Sequence, residues 1–209
     1  MSLPSTHPGE AVARRDRDFA RRLSIIVTLG LILRVAYVLL VERGDPLSGD
    51  GVYYHEAANL LADGLGFTEP YRYLHGGAQE YLFAADPSTI GATANTALPV
   101  GHVEPTAGHP PLWVVVLGFA SMLGFTSVTA HQLLGALVGA AGIAAVGWAG
   151  RMLDGPRTGL VAATLAAVHA CLWLNDGLVM SESLVVSGTA LLVGCAVLVQ
   201  RSPDRRWLL

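Results

Sequence analysis

Apolar residues run with few interruptions from Leu23 to Val41. At about 1.5 Å per residue, that stretch crosses a hydrocarbon core of about 30 Å as a single helix. The chain then turns polar as far as Pro111, after which apolar runs cover Leu112–Phe125, Val128–Gly150, Gly159–Leu174 and Leu184–Gln200. Inside the polar stretch, Tyr53, Ala57, Leu60, Leu61 and Gly64 recur on one face of a 3.6-residue period, and Gly64 supplies a stop. This spacing predicts a juxtamembrane helix from Gly51 to Asp63. Phe67–His109 is rich in Gly, Pro, Thr and aromatic residues and has no period; a run of that length is more often a functional loop than filler.

Composition agrees with a membrane protein. Hydrophobic residues make up 52% of the 209 and charged residues only 14%, and the mean hydropathy is +0.49. That excludes an ordinary soluble domain. The predicted fold class is therefore all-α, a polytopic membrane helical bundle with a large extracytoplasmic first loop that contains juxtamembrane helices. The net charge of -3 says little about partners. All 13 basic residues are Arg, a usage that hints at a high-GC bacterial genome and hence a bacterial plasma membrane.

The placement of charge sets the topology. Residues 1–22 hold Arg14, Arg15, Arg17, Arg21 and Arg22, a basic flank expected to stay cytoplasmic ahead of a membrane module over 23–209, with the tail before the flank unstructured. This tail has no apolar stretch of its own, and no A-x-A pattern follows the first apolar run, so Leu23–Val41 reads as an anchor and not a cleaved signal. Residues 42–111 carry nine acidic residues against Arg43 and Arg72 and read as the outer loop. Leu112–Phe125 is short for a span. Leaving it at the interface puts Arg151, Arg157, Arg201, Arg205 and Arg206 in the cytoplasm. The expectation is four spans, with both termini inside and Asn175–Glu182 as a second outer segment.

On that topology Asp50, His109 and Glu182 share one membrane face. Asp50, in the run SGDGVYYHEAANLLADGLGF (Ser48–Phe67), is a candidate general base: partial desolvation beside apolar walls raises a carboxylate's basicity. An N-cap role for the helix it precedes is an equal alternative. Glu182 could bind a metal or position a donor phosphate, or simply favour the start of the last span. Asp176 reads as a solvated loop residue. Arg34 lies within the first span, where an ionisable side chain is a functional hypothesis by default; it could hold a lipid phosphate, balance Glu182 or form a structural ion pair. His55, His75, His102 and His109 lack metal-site spacing such as HExxH and read as loop histidines. Tyr54, His109, Arg34 and His131 are candidate substrate-binding residues. His131 and Gln132 could face the same pocket or pack as a polar pair against a neighbouring helix. Cys171 and Cys195 read as buried, inert thiols.

Leu33-Arg34 in the first span, Gly49-Asp50 with Tyr53-Tyr54, Ala58–Phe67, His109-Pro110-Pro111-Leu112, HQLLGALVG (His131–Gly139) and Ser181-Glu182 occur in the order and kind found in GT-C superfamily glycosyltransferases. The chain resembles the N-terminal portion of such an enzyme, of the protein O-mannosyltransferase and lipid A aminoarabinose transferase type (glycosyltransferase family 39). The resemblance implies transfer of a sugar from a polyprenyl-phosphate donor to an extracytoplasmic acceptor hydroxyl, with Asp50 as base. It places Glu182 near the donor phosphate or a divalent metal, and His109 where the loop returns to the membrane. The expected partners are a lipid-linked donor, an acceptor and membrane lipids, with no nucleic acid. Relatives often carry a second acid where this chain has Gly51, and they continue through further spans beyond the position of Leu209. The expectation is an incomplete enzyme or one part of a split one, with a second chain supplying the remaining spans. A non-catalytic membrane subunit that binds a lipid phosphate or a partner transferase is the alternative.

Overall fold

A computed structural model describes residues 8–47, 49–76 and 100–201. Ser48, much of the expected outer loop (77–99) and both chain ends, with Arg205 and Arg206, lie outside the described residues. Among the described residues the structure is helical, with no strand beyond one isolated bridge between Thr68 and Pro105. The helices are α1 (Pro8–Tyr37), continued by a π-helical turn over Val38–Glu42, α2 (Asp50–Ala62), α3 (Pro70–His75), α4 (Pro111–Met122), α5 (Val128–Asp154), α6 (Pro156–Val168), α7 (Ala170–Gly177) and α8 (Glu182–Arg201).

Three helical stretches, Val12–Glu42, Val128–Asp154 and Glu182–Arg201, are long and apolar enough to cross a membrane. Helices α6 and α7 become a fourth span if counted together across their 52° bend. Helix α4, with 12 residues, is about 18 Å long and short of a hydrocarbon core. The tail expected to be unstructured is helical from Pro8 onward. Its spacing explains this: Arg14 and Asp18, and Asp18 and Arg22, fall at i, i+4, which supports a solvated helix.

The chain forms two compact units, one from Met1–Arg43, Gly135–Gly177 and Glu182–Leu209, the other from Gly44–Leu134 and Leu178–Ser181. In the first unit, Ile143, Ala163, Ala166 and Ala167 form a core against Leu23, Ile26, Val27, Val146 and Leu172. Small residues dominate it because lipid gives helices no hydrophobic reason to associate, so close backbone approach must supply the packing. Gly139 shows how close: a Cβ there would collide with the carboxylate of Asp176.

That carboxylate overturns the reading of Asp176 as a solvated loop residue. Asp176 sits on α7 at 2% exposure and pairs with Arg34 Nε at 2.5 Å, while Ser183 donates to its other oxygen. The rest of the Arg34 guanidinium donates to the carbonyls of Gly30 (3.1 Å), Ala167 (3.2 Å) and Ala166 (3.4 Å). The last two lie at the end of α6, where the bend leaves carbonyls without helical partners. Nothing in the local sequence explains why the helix breaks at His169. Cys171 and Cys195, expected to be buried, are exposed on apolar helices; apolar sequence in a membrane chain does not distinguish a packed face from an open one.

In the second unit α2 packs along α4. Tyr53, Ala57 and Leu60 are buried as the period requires, together with Tyr54 and Ala58. Gly118 of α4 seats against Leu61 and the Ala58 carbonyl. The strap Leu178–Ser181 belongs to this unit: Trp113 Nε1 donates to the Val179 carbonyl at 2.9 Å, and Tyr54 donates to Ser181 at 3.2 Å. Val179 holds a φ of 61°, uncommon for a β-branched residue. Backbone pairing of Glu69 with Glu104 (2.8 Å) and of Thr106 with Phe67 (2.9 Å) ties the return of the loop to its start.

Candidate functional site

Helix α2 opens on Asp50, with Gly49 at the N-cap and no side-chain capping bond there. The capping alternative for Asp50 therefore loses its geometry. The carboxylate turns instead to His109, whose Nε2 lies 3.1 Å from Asp50 Oδ1. His109 reaches this position because the segment ahead of Pro110-Pro111 brings it over the first turn of α2. Its ring stacks on Tyr53 at 4.0 Å between centroids, with an interplanar angle of 24°, and meets Tyr54 edge-on at 5.4 Å. Aromatic walls on two sides hold the imidazole, while the Asp50 side chain keeps 56% of its surface open to solvent. The pair thus combines a fixed imidazole with an accessible carboxylate, a geometry suited to receiving a proton from a bound hydroxyl.

The same geometry accounts for Gly51. A side chain at this position would run into the Leu178 carbonyl. A second acid directly after Asp50 is sterically excluded while the strap lies where it does.

Tyr71 and Glu56 complete the surroundings of α2. The Tyr71 hydroxyl donates to the Gly49 carbonyl at 3.3 Å. Burial, with Glu56, Glu69 and Asp50 adding like-charge repulsion, pushes this phenol up to about 12, so it remains a donor. Burial likewise raises the Glu56 carboxyl, against the opposing pull of His75 at 3.4 Å. The Tyr53 phenol is raised by burial while Thr106 hydrogen bonds its hydroxyl.

His131, expected as a substrate ligand, is wholly buried and takes part in a ring of side chains. Asn59 Nδ2 donates to the Thr126 carbonyl at 3.1 Å, which fixes the amide so that the same nitrogen faces His55 Nε2 at 3.5 Å. His55 Nε2 must then be an acceptor, so His55 carries its proton on Nδ1 and donates it to His131 Nδ1 at 3.0 Å. His131 in turn protonates at Nε2 and donates to Ser121 Oγ at 3.0 Å, and Ser121 donates to Asn59 Oδ1 at 2.8 Å. The ring closes only with both imidazoles neutral. Burial lowers the His55 imidazole.

Because the folded state binds that proton less readily than the unfolded one, the contribution is full above the ordinary histidine value of about 6.5 and declines as pH falls below it. Acidifying detergent-solubilised protein from pH 7.5 to 5 should lower its thermal midpoint, and His55→Gln should flatten that dependence. An unchanged slope in the variant would count against the tautomers assigned here.

The remaining candidates lie in the other unit. Arg34 is committed to Asp176 and three carbonyls, as described. Glu182 is the first residue of α8, and its Oε2 is buried without a partner among the described residues. Arg34, Asn175, Asp176, Glu182 and Ser183 line a cavity of about 10 Å³, room for about one water and too little for a phosphate group. Among the described residues no group of three His, Cys, Asp or Glu side chains could hold a metal ion. The chain matches no family model, no curated protein and no solved structure.

Proposed function

We propose that the protein is a membrane glycosyltransferase of the lipid-phosphate-sugar-dependent type. In this reading a polyprenyl-phosphate sugar is the donor and an acceptor hydroxyl attacks on the extracytoplasmic face of a bacterial plasma membrane. The observation that carries it is the pairing of the accessible Asp50 carboxylate with His109 at 3.1 Å; the order of motifs in the chain supplies the reaction class. The acceptor's O–H proton passes to Asp50 as its oxygen bonds to the anomeric carbon. The bond from that carbon to the phosphate oxygen breaks, and its electron pair leaves with the polyprenyl phosphate. His109 orients the carboxylate, while Tyr53 and Tyr54 exclude water from one side.

The test is direct. Membranes containing the full chain, given a radiolabelled polyprenyl phosphomannose and other polyprenyl phosphohexoses with a hydroxyl acceptor, should yield a labelled product. Absence of transfer from every such donor would sink the reading. Co-purification with a second membrane polypeptide, in the absence of turnover, would favour the non-catalytic subunit instead.

A further inference from the structure

Arg15 and Arg22 of α1 and Arg157 of α6 surround, with Phe19, Pro156 and Leu160, a cavity of about 220 Å³ within one helical unit. One water needs roughly 10–15 Å³, so the space admits a phosphate group and the atoms attached to it. The three arginines are exposed, as is Asp18, the carboxylate on the cavity wall. None of these four side chains has an ion-pair or hydrogen-bond partner among the described residues. Three other arginines of the unit are committed: Arg34 to Asp176, Arg151 to Asp16 and the Phe19 ring, and Arg201 to the carbonyls of Met152 and Leu153. Retention of positive charge in the cytoplasm explains why arginines flank these apolar helices. It does not explain why three of them, from two helices, converge on one recess. Arg157 is also set against the helix dipole, which disfavours a cation in the first turn. An anion in the recess relieves both the dipole and the mutual repulsion.

The walls narrow which anion fits. Planar guanidiniums match phosphate oxygens in pairs, and three of them against the single carboxylate of Asp18 leave positive charge in excess. Phe19, Pro156 and Leu160 add an apolar wall that a hydrated inorganic ion would not use. Beyond the cavity α1 and α6 continue as apolar helices with exposed side chains such as Leu29 and Leu165, a surface suited to acyl chains. Basic pockets of this kind between membrane helices recognise phosphate headgroups. We propose that the cavity of Arg15, Arg22 and Arg157 binds the headgroup phosphate of an acidic glycerophospholipid of the cytoplasmic leaflet. The site lies in the unit that does not contain Asp50 and His109, and it stands whether or not the chain transfers a sugar.

The full chain in detergent, titrated with dioctanoyl phosphatidylglycerol, should show a thermal midpoint that rises with lipid concentration, and dioctanoyl phosphatidylcholine should not reproduce the rise. Arg15→Gln, Arg22→Gln and Arg157→Gln combined should weaken binding of the acidic lipid at least about tenfold, since each basic residue near an anionic surface is worth about fivefold. Arg14, Arg17 and Arg21 lie on the same helix, carry the same total charge and do not line this cavity. Their combined replacement by Gln should cost less than about threefold, what screened long-range attraction leaves. Replacing the three cavity arginines by Lys keeps the charge that sets topology and loses the paired guanidinium geometry, so its affinity should fall between wild type and the Gln triple. That variant carries the comparison if the Gln triple does not insert. Equal losses in the two Gln triples would overturn the site in favour of a diffuse surface attraction. Equal responses to the two lipids, or unaltered affinity in both cavity triples, would overturn it too. Displacement of the lipid by inorganic phosphate or glycerol phosphate at matching concentration would overturn the lipid and reassign the recess to a free phosphate.

Discussion

Arg34→Met alone should largely abolish accumulation of the folded protein, whereas Arg34→Met combined with Asp176→Asn should restore a substantial part of it. The single change leaves the Asp176 carboxylate at 2% exposure with Ser183 as its remaining described partner. Removing one member of a buried ion pair costs about 3–5 kcal/mol, against a total stability of about 5–15 kcal/mol. Asn in the double variant removes the stranded charge while keeping an acceptor for Ser183 and a shape that fits against Gly139. Recovery should remain incomplete, because the carbonyls of Ala166 and Ala167 lose the donor that Arg34 supplies, at about 1 kcal/mol each. Protein level in membranes and thermal midpoints of the two singles and the double form a cycle whose coupling term isolates the pair. Additive effects, or wild-type levels of Arg34→Met, would mean that Arg34 serves something other than Asp176.

Local pattern announced α2 to within one residue at each end, because its buried face and its glycine stop both lie inside the segment. The apolar lengths of the three helices long enough to cross a membrane were equally plain, since the bilayer sets length without reference to any partner. What the chain concealed was pairing at long separation. Asn175-Asp176-Gly177 reads as a turn, and only the fold brings Asp176 to Arg34, 142 positions away. A trace of that contact was present in Gly135-x-x-x-Gly139, a small-residue spacing that marks close helix approach; the Asp176 backbone and carboxylate occupy the space those glycines leave.

Around Asp50, the expectation that Asp50, His109 and Glu182 share one face came from the topology, and the sequence left open whether Asp50 caps its helix. Sequence alone cannot say whether Gly49 or Asp50 takes the capping position, because either residue type suits it. His131 and Gln132 illustrate the opposite difficulty. Two adjacent polar residues looked interchangeable, and only side-chain bonding separates His131, held in a closed ring, from Gln132, whose amide has no partner among the described residues.

The same separation makes Asp50→Asn the sharpest test of the chemistry. Asn preserves size and an oxygen acceptor for His109 Nε2, and the position is exposed enough, at 56%, that folding should hardly register the change. Thermal midpoint and membrane level should therefore match wild type. Transfer should fall about 10²–10⁴-fold, the usual worth of a positioned general base, with KM for the lipid-linked sugar little altered because the donor's binding contacts are untouched. His109→Gln should lower kcat less, about 10-fold to 100-fold, because it loosens the orientation of the carboxylate without removing it. That order of effects follows from the accessible group being the carboxylate and the held group being the ring. A larger loss in His109→Gln than in Asp50→Asn would reverse the two roles, and full turnover in Asp50→Asn would remove this carboxylate from the reaction altogether.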